Sequence, residues 1–152
     1  MRERSVEHAT FVVERTYDAS PDRVFAAWSD PEAKARWFDG SEEFELDFRV
    51  GGRERGRGTL PDGRAYTFQA LYQDIVRARR IVFTYDMLLD ETRISVSVAT
   101  VQFRPERAGT RLVFTEQGAF LDGHEMPGRR EQGMGSLLDA LAAELRSNRA
   151  GA

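Results

Sequence analysis

A single amphipathic stretch near the C-terminus, residues 127–147, most constrains the fold of this chain. Its large apolar residues recur at steps of three and four, which places them on one face of a helix: Met134, Leu137, Leu138, Leu141 and Leu145. The same helix turns Ser136, Asp139, Ala143 and Glu144 to its other side. One apolar face needs a partner, and the preceding chain is mostly predicted strand. We therefore expect a long helix packed on a curved sheet, with an apolar hollow between them.

Three glycines lie in the first half of this helix, Gly128, Gly133 and Gly135. Glycine in a helix interior costs about 1 kcal/mol relative to alanine. One interpretation is that they only fray the first turns. The other is that the missing side chains leave room for a ligand or let the helix end move.

Length, charge and cysteine content exclude several classes of protein. The 152 residues predict one domain, 1–152, with an ordered core over about 9–147. The net charge of −3 argues against nucleic acid as a partner, and Lys34 is the single lysine among 22 basic residues. The absence of cysteine excludes disulfides and thiolate metal sites and fits a cytoplasmic protein. We see no signal peptide and no apolar run of about 18 residues, so no membrane association is expected.

The N-terminal third predicts one strand and two short helices. Residues 10–17 are rich in β-branched and aromatic residues and predict the strand. Ser20 is a candidate N-cap for a helix that begins at Pro21. A second short helix follows from Pro31 and ends near Gly40.

From Glu43 onward the apolar residues alternate with polar ones, which is typical of half-buried strands. Turn sequences divide this part of the chain into further strands, near residues 43–49, 53–60, 64–76, 81–87, 93–104 and 110–117. Residues 118–126 are predicted to form a loop into the long helix. The fold class is therefore α+β, with an antiparallel sheet of about seven strands.

Four segments carry a resemblance to a known family: residues 18–38 (DASPDRVFAAWSDPEAKARWF), 50–63 (VGGRERGRGTLPDG), 93–123 and 130–145. They resemble the helix-grip fold of the START-like (SRPBCC) superfamily, and within it the bacterial activator-of-Hsp90-ATPase-like, or polyketide cyclase-like, proteins. This resemblance implies a cavity between sheet and C-terminal helix that takes a hydrophobic ligand. A tryptophan is usual in the family where Met134 stands, so the resemblance implies an altered pocket at that point.

Candidate ligand-binding residues are mostly aromatic, because small-molecule sites are largely apolar with a few polar groups. The alternative interpretation of each is an ordinary core residue. The aromatic candidates are Trp28, Trp37, Phe38, Phe44, Phe68, Tyr72, Phe83, Tyr85, Phe114 and Phe120, joined by Met87, Met134 and Leu138.

Glu116 is the main polar candidate. It shares a strand face with Leu112 and Phe114, which indicates that the carboxyl group points inward. Burial would raise its pKa. We predict that Glu116 lines the pocket and hydrogen-bonds a ligand or a buried partner such as an arginine or tyrosine; a structural salt bridge is the alternative.

No catalytic residue, metal ligand or cofactor site is predicted. The two histidines, His8 and His124, differ in context, and neither has a carboxylate pair at ligand spacing. The segment GGRERGRG (51–58) lacks the phosphate-loop pattern and is predicted to be a hairpin with arginines on its solvent face.

Three functions remain open at this point. The first is a protein that binds a small hydrophobic or aromatic molecule in the hollow. The second is an enzyme of the same fold that uses pocket residues for general acid and base catalysis. The third is an interaction module of the Hsp90 co-chaperone type. An antiparallel sheet with one bare face also allows a homodimer through that face or through the strand edges.

Overall fold

The architecture is a curved antiparallel sheet that wraps around one long helix. A computed structural model describes residues 4–38 and 42–151, with side chains as far as residue 147. The elements in chain order are β1 Val6–Tyr17, α1 Pro21–Ser29, α2 Pro31–Trp37, β2 Glu43–Leu46, β3 Arg53–Thr59, β4 Ala65–Val76, β5 Arg80–Leu89, β6 Thr92–Glu106, β7 Gly109–Leu121 and α3 Pro127–Gly151. The predicted α+β helix-grip fold is confirmed.

The strands form one seven-stranded sheet in the order β1-β7-β6-β5-β4-β3-β2. Every neighbouring pair is antiparallel. The ladder shifts register in two places, at Gln73 between β4 and β5 and at Ile94 between β5 and β6. Because a bulge bends its strand and increases the local twist, these shifts help the sheet curve around α3.

The helices α1 and α2 connect the two edge strands of the sheet. Both begin with proline after a capping side chain: the backbone N–H of Arg23 donates to Ser20 Oγ, and that of Ala33 donates to Asp30 Oδ2, each at 3.2 Å. The predicted end of α2 near Gly40 lies outside the described residues.

The apolar stripe of α3 faces the sheet as predicted. Met134, Leu138, Leu141 and Leu145 are buried, and Leu137 is half-buried. The hydroxyl group of Tyr17 donates a hydrogen bond of 2.8 Å to the carbonyl oxygen of Leu138, which ties the middle of α3 to β1.

Two sequence-based expectations are wrong. Glu144 is not on the solvent side of α3: it is buried and accepts hydrogen bonds from Arg36 of α2, the shortest 2.8 Å. A short apolar repeat cannot show that a second helix covers the flank of α3. Residues 118–121 are not loop but continue β7, because all four pair with β1 on one side and residues 118–120 pair with β6 on the other. No helix among the described residues is long and apolar enough to cross a bilayer.

Candidate ligand cavity

A cavity of about 600 Å³ lies between the sheet and the first half of α3. Its volume is within the usual range for small-molecule sites. The wall is mostly apolar and consists of Phe38, Leu60, Tyr66, Phe68, Phe83, Tyr85, Met87, Leu89, Ile94, Phe114, Met134 and Leu137. The remaining wall lies around the start of α3 and contains Gly123, His124, Glu125, Met126, Arg129, Arg130 and Gly133.

Strand alternation positions the aromatic wall. Phe83, Tyr85, Met87 and Leu89 are alternate residues of β5, and they therefore point to the same face of the sheet. Phe68 of β4 lies directly opposite Met87 in the ladder. At the bulge, Ile94 is the extra residue of β6, and its buried side chain contributes to the wall.

Half of the residues predicted from the sequence as ligand contacts lie on the cavity wall: Phe38, Phe68, Phe83, Tyr85, Met87, Phe114 and Met134. The other predicted residues do not line it: Trp28, Trp37, Phe44, Tyr72, Glu116, Phe120 and Leu138. Trp28 and Trp37 pack on each other with ring centroids 4.9 Å apart, inside the core formed with α1 and α2. Periodicity shows which face of an element points inward. It does not show where along that face the core is filled.

Sequence reasoning missed much of the wall near the start of α3. Arg129 and Arg130 fall outside the apolar repeat, and Glu125 belongs to a segment with no periodicity. Gly133 did carry a signal, since a glycine inside an amphipathic helix suggests a place where space is needed. A Cβ atom built on Gly133 would meet nothing within 4 Å.

Behind this wall lies a buried polar cluster centred on Glu116. Its Oε2 atom accepts hydrogen bonds from the Tyr85 hydroxyl at 2.6 Å, from Ser97 Oγ at 2.7 Å and from Arg130 Nη1 at 3.3 Å. The Oε1 atom is also buried and has no hydrogen-bond partner among the described residues. Glu116 is absent from the wall of the cavity, whereas the buried partners predicted for its carboxyl group, a tyrosine and an arginine, are present as Tyr85 and Arg130.

Arg130 joins the cluster to the cavity. Its guanidinium group forms a two-point ion pair with Glu125, with both N–O distances 2.7 Å, and donates to the Tyr85 hydroxyl at 2.9 Å and to Ser95 Oγ at 2.8 Å. It also lies over the ring of Phe120 at 5.1 Å from the centroid. This arrangement fixes the start of α3 on the sheet and occupies the donors of Arg130.

Burial dominates the electrostatics of this cluster. It raises the pKa of Glu116 above its ordinary value, against the opposing effects of Arg130 and of the hydrogen bonds from Tyr85 and Ser97. Burial also raises the pKa of Tyr85, and the negative charge of the neighbouring Glu116 carboxyl group raises it further, whereas Arg130 opposes the shift. Tyr85 is therefore a neutral phenol at ordinary pH.

We expect Glu116→Gln to gain stability relative to the natural chain as the pH rises from about 4 to 8. With its pKa raised, Glu116 keeps a proton in the folded state at pH values where the unfolded chain, with a pKa of about 4.3, has released it. This carboxyl group therefore lowers the free energy of unfolding as the pH rises, and glutamine does not titrate. Urea unfolding of both proteins across this range measures the difference. Glu91→Gln, in an exposed turn, is the control, and a pH-independent difference for Glu116→Gln would contradict the prediction.

A second buried polar group lies beside the cavity, between α2 and the sheet. The Lys34 ammonium group, with no exposed surface, donates to Glu54 Oε1 at 2.6 Å and to the Tyr72 hydroxyl at 3.3 Å. Tyr72 donates to the same Glu54 oxygen. Burial lowers the pKa of Lys34, and the neighbouring Glu54 opposes this shift. The sequence alone does not reveal this cluster, because Lys34 stands out there only as the single lysine of the chain.

Aromatic rings surround the Lys34 ammonium group. It lies 4.4 Å from the ring centroid of Phe38, 5.1 Å from that of Trp28 and 5.8 Å from that of Phe83. Such distances are those of cation–π contacts. Phe38 and Phe83 also line the cavity, so two of the rings that surround Lys34 form part of its wall.

The described residues contain no cluster of three or more histidine, aspartate or glutamate side chains that could hold a metal ion. The arginines of β3 are on the exposed side of the strand, as the alternation predicts, and Glu54 points to the buried side.

Comparison with known proteins matches this architecture to a family. A sequence model described as "Activator of Hsp90 ATPase homolog 1-like protein" matches residues 18–146, which is most of the chain. The chain belongs to this family. The resemblance to START-like proteins is thereby confirmed, and the chain has the fold of a START-like ligand-binding domain. A comparison with curated protein sequences found no match.

Several solved structures share this architecture. A protein of Rhizobium leguminosarum is 47% identical, with a TM-score of 0.92 over 95% of this chain and 99% of its own. The Mll3558 protein of Rhizobium loti is 49% identical, with a TM-score of 0.87 over 92% and 99% of the two chains. An AHSA1-like protein of Aeromonas hydrophila, 22% identical over 92% of this chain and 94% of its own, has the same fold with a TM-score of 0.68.

Proposed function

We propose that this protein binds a small hydrophobic or aromatic molecule in the cavity between the sheet and α3. The main support for this proposal is the cavity itself, which has a volume of about 600 Å³ and a wall rich in aromatic side chains. Protein interiors are ordinarily close-packed, with few voids larger than a water molecule. An apolar space of this size inside a small fold therefore favours a binding role.

The composition of the wall supports the choice of ligand. Phe68 and Tyr85 lie with ring centroids 4.8 Å apart, and Phe83 is 5.9 Å from Tyr85. These rings offer flat apolar surface for stacking or edge-to-face contact with an aromatic ligand. Met87 and Met134 add flexible side chains that adapt to an irregular outline.

Filling the cavity is expected to remove binding without harming the fold. In Gly133→Leu the new side chain starts from a cavity-lining position with open space around it, and leucine forms helix better than glycine. We expect the affinity for the neutral fluorescent probe N-phenyl-1-naphthylamine to fall about tenfold or more, a change of at least about 1.4 kcal/mol. Fluorescence titration measures the dissociation constant.

Gly128→Leu is the matched control for this experiment. Gly128 is also in α3 and also has nothing within 4 Å of an added Cβ atom, but it does not line the cavity. Its substitution should leave probe affinity unchanged. Equal affinities in the natural chain and both variants would place the probe elsewhere and argue against the cavity as the binding site.

A second candidate function is general acid and base catalysis in the same cavity. The observation that favours it is the pairing of Tyr85, which lines the wall, with the Glu116 carboxyl group at 2.6 Å. Two features weaken it. The Tyr85 hydroxyl is already bonded to Glu116 and Arg130, and burial raises its pKa, which makes it a poor proton donor at neutral pH.

A further inference from the structure

We propose that the ligand is an amphipathic organic anion, with its apolar body among the aromatic side chains and its carboxylate or sulfonate group at Arg129. This inference rests on the proposed binding function and specifies the ligand class. Its basis is the unequal distribution of charge on the wall of the cavity.

The apolar and polar parts of the wall are separate. The strands supply rings and aliphatic side chains, whereas the charged groups lie in the loop before α3 and in its first turns. A ligand that fits both parts has an apolar body and one polar end. This is the usual form of a site in which a few polar groups fix the orientation of a mostly apolar molecule.

The charges at the polar end do not balance. Glu125 is the single carboxylate on the wall, and both of its oxygens bind Arg130 at 2.7 Å. Arg129 is the other guanidinium group on the wall, and its side chain makes no ion pair within the described part of the chain. The wall therefore has one excess positive charge, although the whole chain has a net charge of −3.

The position of Arg129 in the helix reinforces this excess. It lies near the N-terminus of α3, a helix of 25 residues without an acidic side chain in its first turn. The N-terminal end of a helix has a partial positive charge, so an arginine there adds to a potential that already favours anions. A bound anion would neutralise both the Arg129 charge and the partial charge of the helix end, whereas a cationic ligand would be repelled despite the aromatic wall.

Arg130 does not compete for this role. Its donors are occupied by Glu125, Tyr85, Ser95 and Glu116, and only 11% of its side chain is exposed. Arg130 thus holds the site together, whereas Arg129 is exposed and available to a ligand at the cavity.

The test compares two probes with the same aromatic skeleton, neutral N-phenyl-1-naphthylamine and its sulfonate, 8-anilinonaphthalene-1-sulfonate. In Arg129→Gln we expect the affinity for the sulfonate to fall about fivefold, the effect of losing one partly exposed ion pair. The affinity for the neutral probe should stay unchanged. Added salt should weaken sulfonate binding in the natural chain more than in the variant, because exposed charges are screened.

The control is Arg57→Gln, which removes the same charge from the exposed face of β3, away from the cavity. It should alter neither affinity. An equal loss of sulfonate affinity in both variants would overturn the inference, as would an equal loss of both probes in Arg129→Gln. If the neutral probe binds in the cavity and Arg129→Gln changes the affinity for neither probe, the inference that the ligand is an anion is refuted and the proposed binding function is retained. Failure of both probes to bind the natural chain refutes the proposed function itself.

Discussion

Replacing Lys34 by methionine is expected to lower the free energy of unfolding by about 3–5 kcal/mol. The ammonium group has no exposed surface and lies 2.6 Å from a Glu54 oxygen that is equally buried. Methionine preserves the apolar stem but leaves a buried carboxylate whose remaining partner is the Tyr72 hydroxyl. Chemical denaturation measures the loss. Arg49→Met, which breaks an exposed ion pair with Asp47, should change stability little.

The double variant Lys34→Met/Glu54→Met separates the cost of an unpaired charge from the value of the pair. If the desolvation cost dominates, removing both charges restores most of the stability that either single substitution loses, since well-packed apolar residues can replace a buried ion pair. The coupling energy from the double-mutant cycle reports this directly. A double variant as unstable as the sum of the two single variants would show that the lysine and Glu54 are not coupled, and that the ammonium group acts mainly through its contacts with the aromatic rings.

Leu138→Ala is expected to cost about 3 kcal/mol, within the usual range of about 2–5 kcal/mol for a buried leucine. Leu138 has no exposed surface and lies in the hydrophobic core under the middle of α3. Its truncation opens a new void in a region that is already closely packed, and the lost contacts have no replacement.

The neighbouring residue provides the comparison for this prediction. Leu137 is half-buried and lines the cavity, so part of its surface already borders open space. Leu137→Ala should therefore cost about 1 kcal/mol, since the cost of truncation depends on the void that remains. Thermal or urea unfolding of the two variants checks this order. Equal losses would mean that the cavity is filled or collapsed in solution.

The sequence predicts the secondary-structure elements and their buried faces better than it predicts the cavity and the buried charged clusters. Alternation and helical spacing identify the strands and the buried face of α3, because burial on one side of an element leaves a periodic trace. The cap at Ser20 likewise follows from local chemistry. The extension of β7 to Leu121 is not visible in the periodicity, because residues 118–121 show little apolar alternation; it follows from pairing with the remote strand β1 and, as far as Phe120, with the hairpin partner β6.

The cavity is harder to predict because it depends on where the side chains leave unfilled space in the core. Trp28 and Phe68 look alike as inward-pointing aromatic residues, yet one packs in the core beside Trp37 and the other faces open space. The charged clusters are harder still. Lys34, Glu54 and Tyr72 come from three separate elements, and each residue alone looks ordinary in the sequence.

The sealed position of Lys34 has a practical consequence. Because it is the single lysine of the chain and has no exposed surface, amine-directed reagents reach an ε-amino group here only when the structure opens. The rate of acylation at this residue therefore counts opening events between α2 and the sheet. Ligands that hold the cavity shut would slow it, which gives a readout of occupancy that requires no knowledge of what is bound.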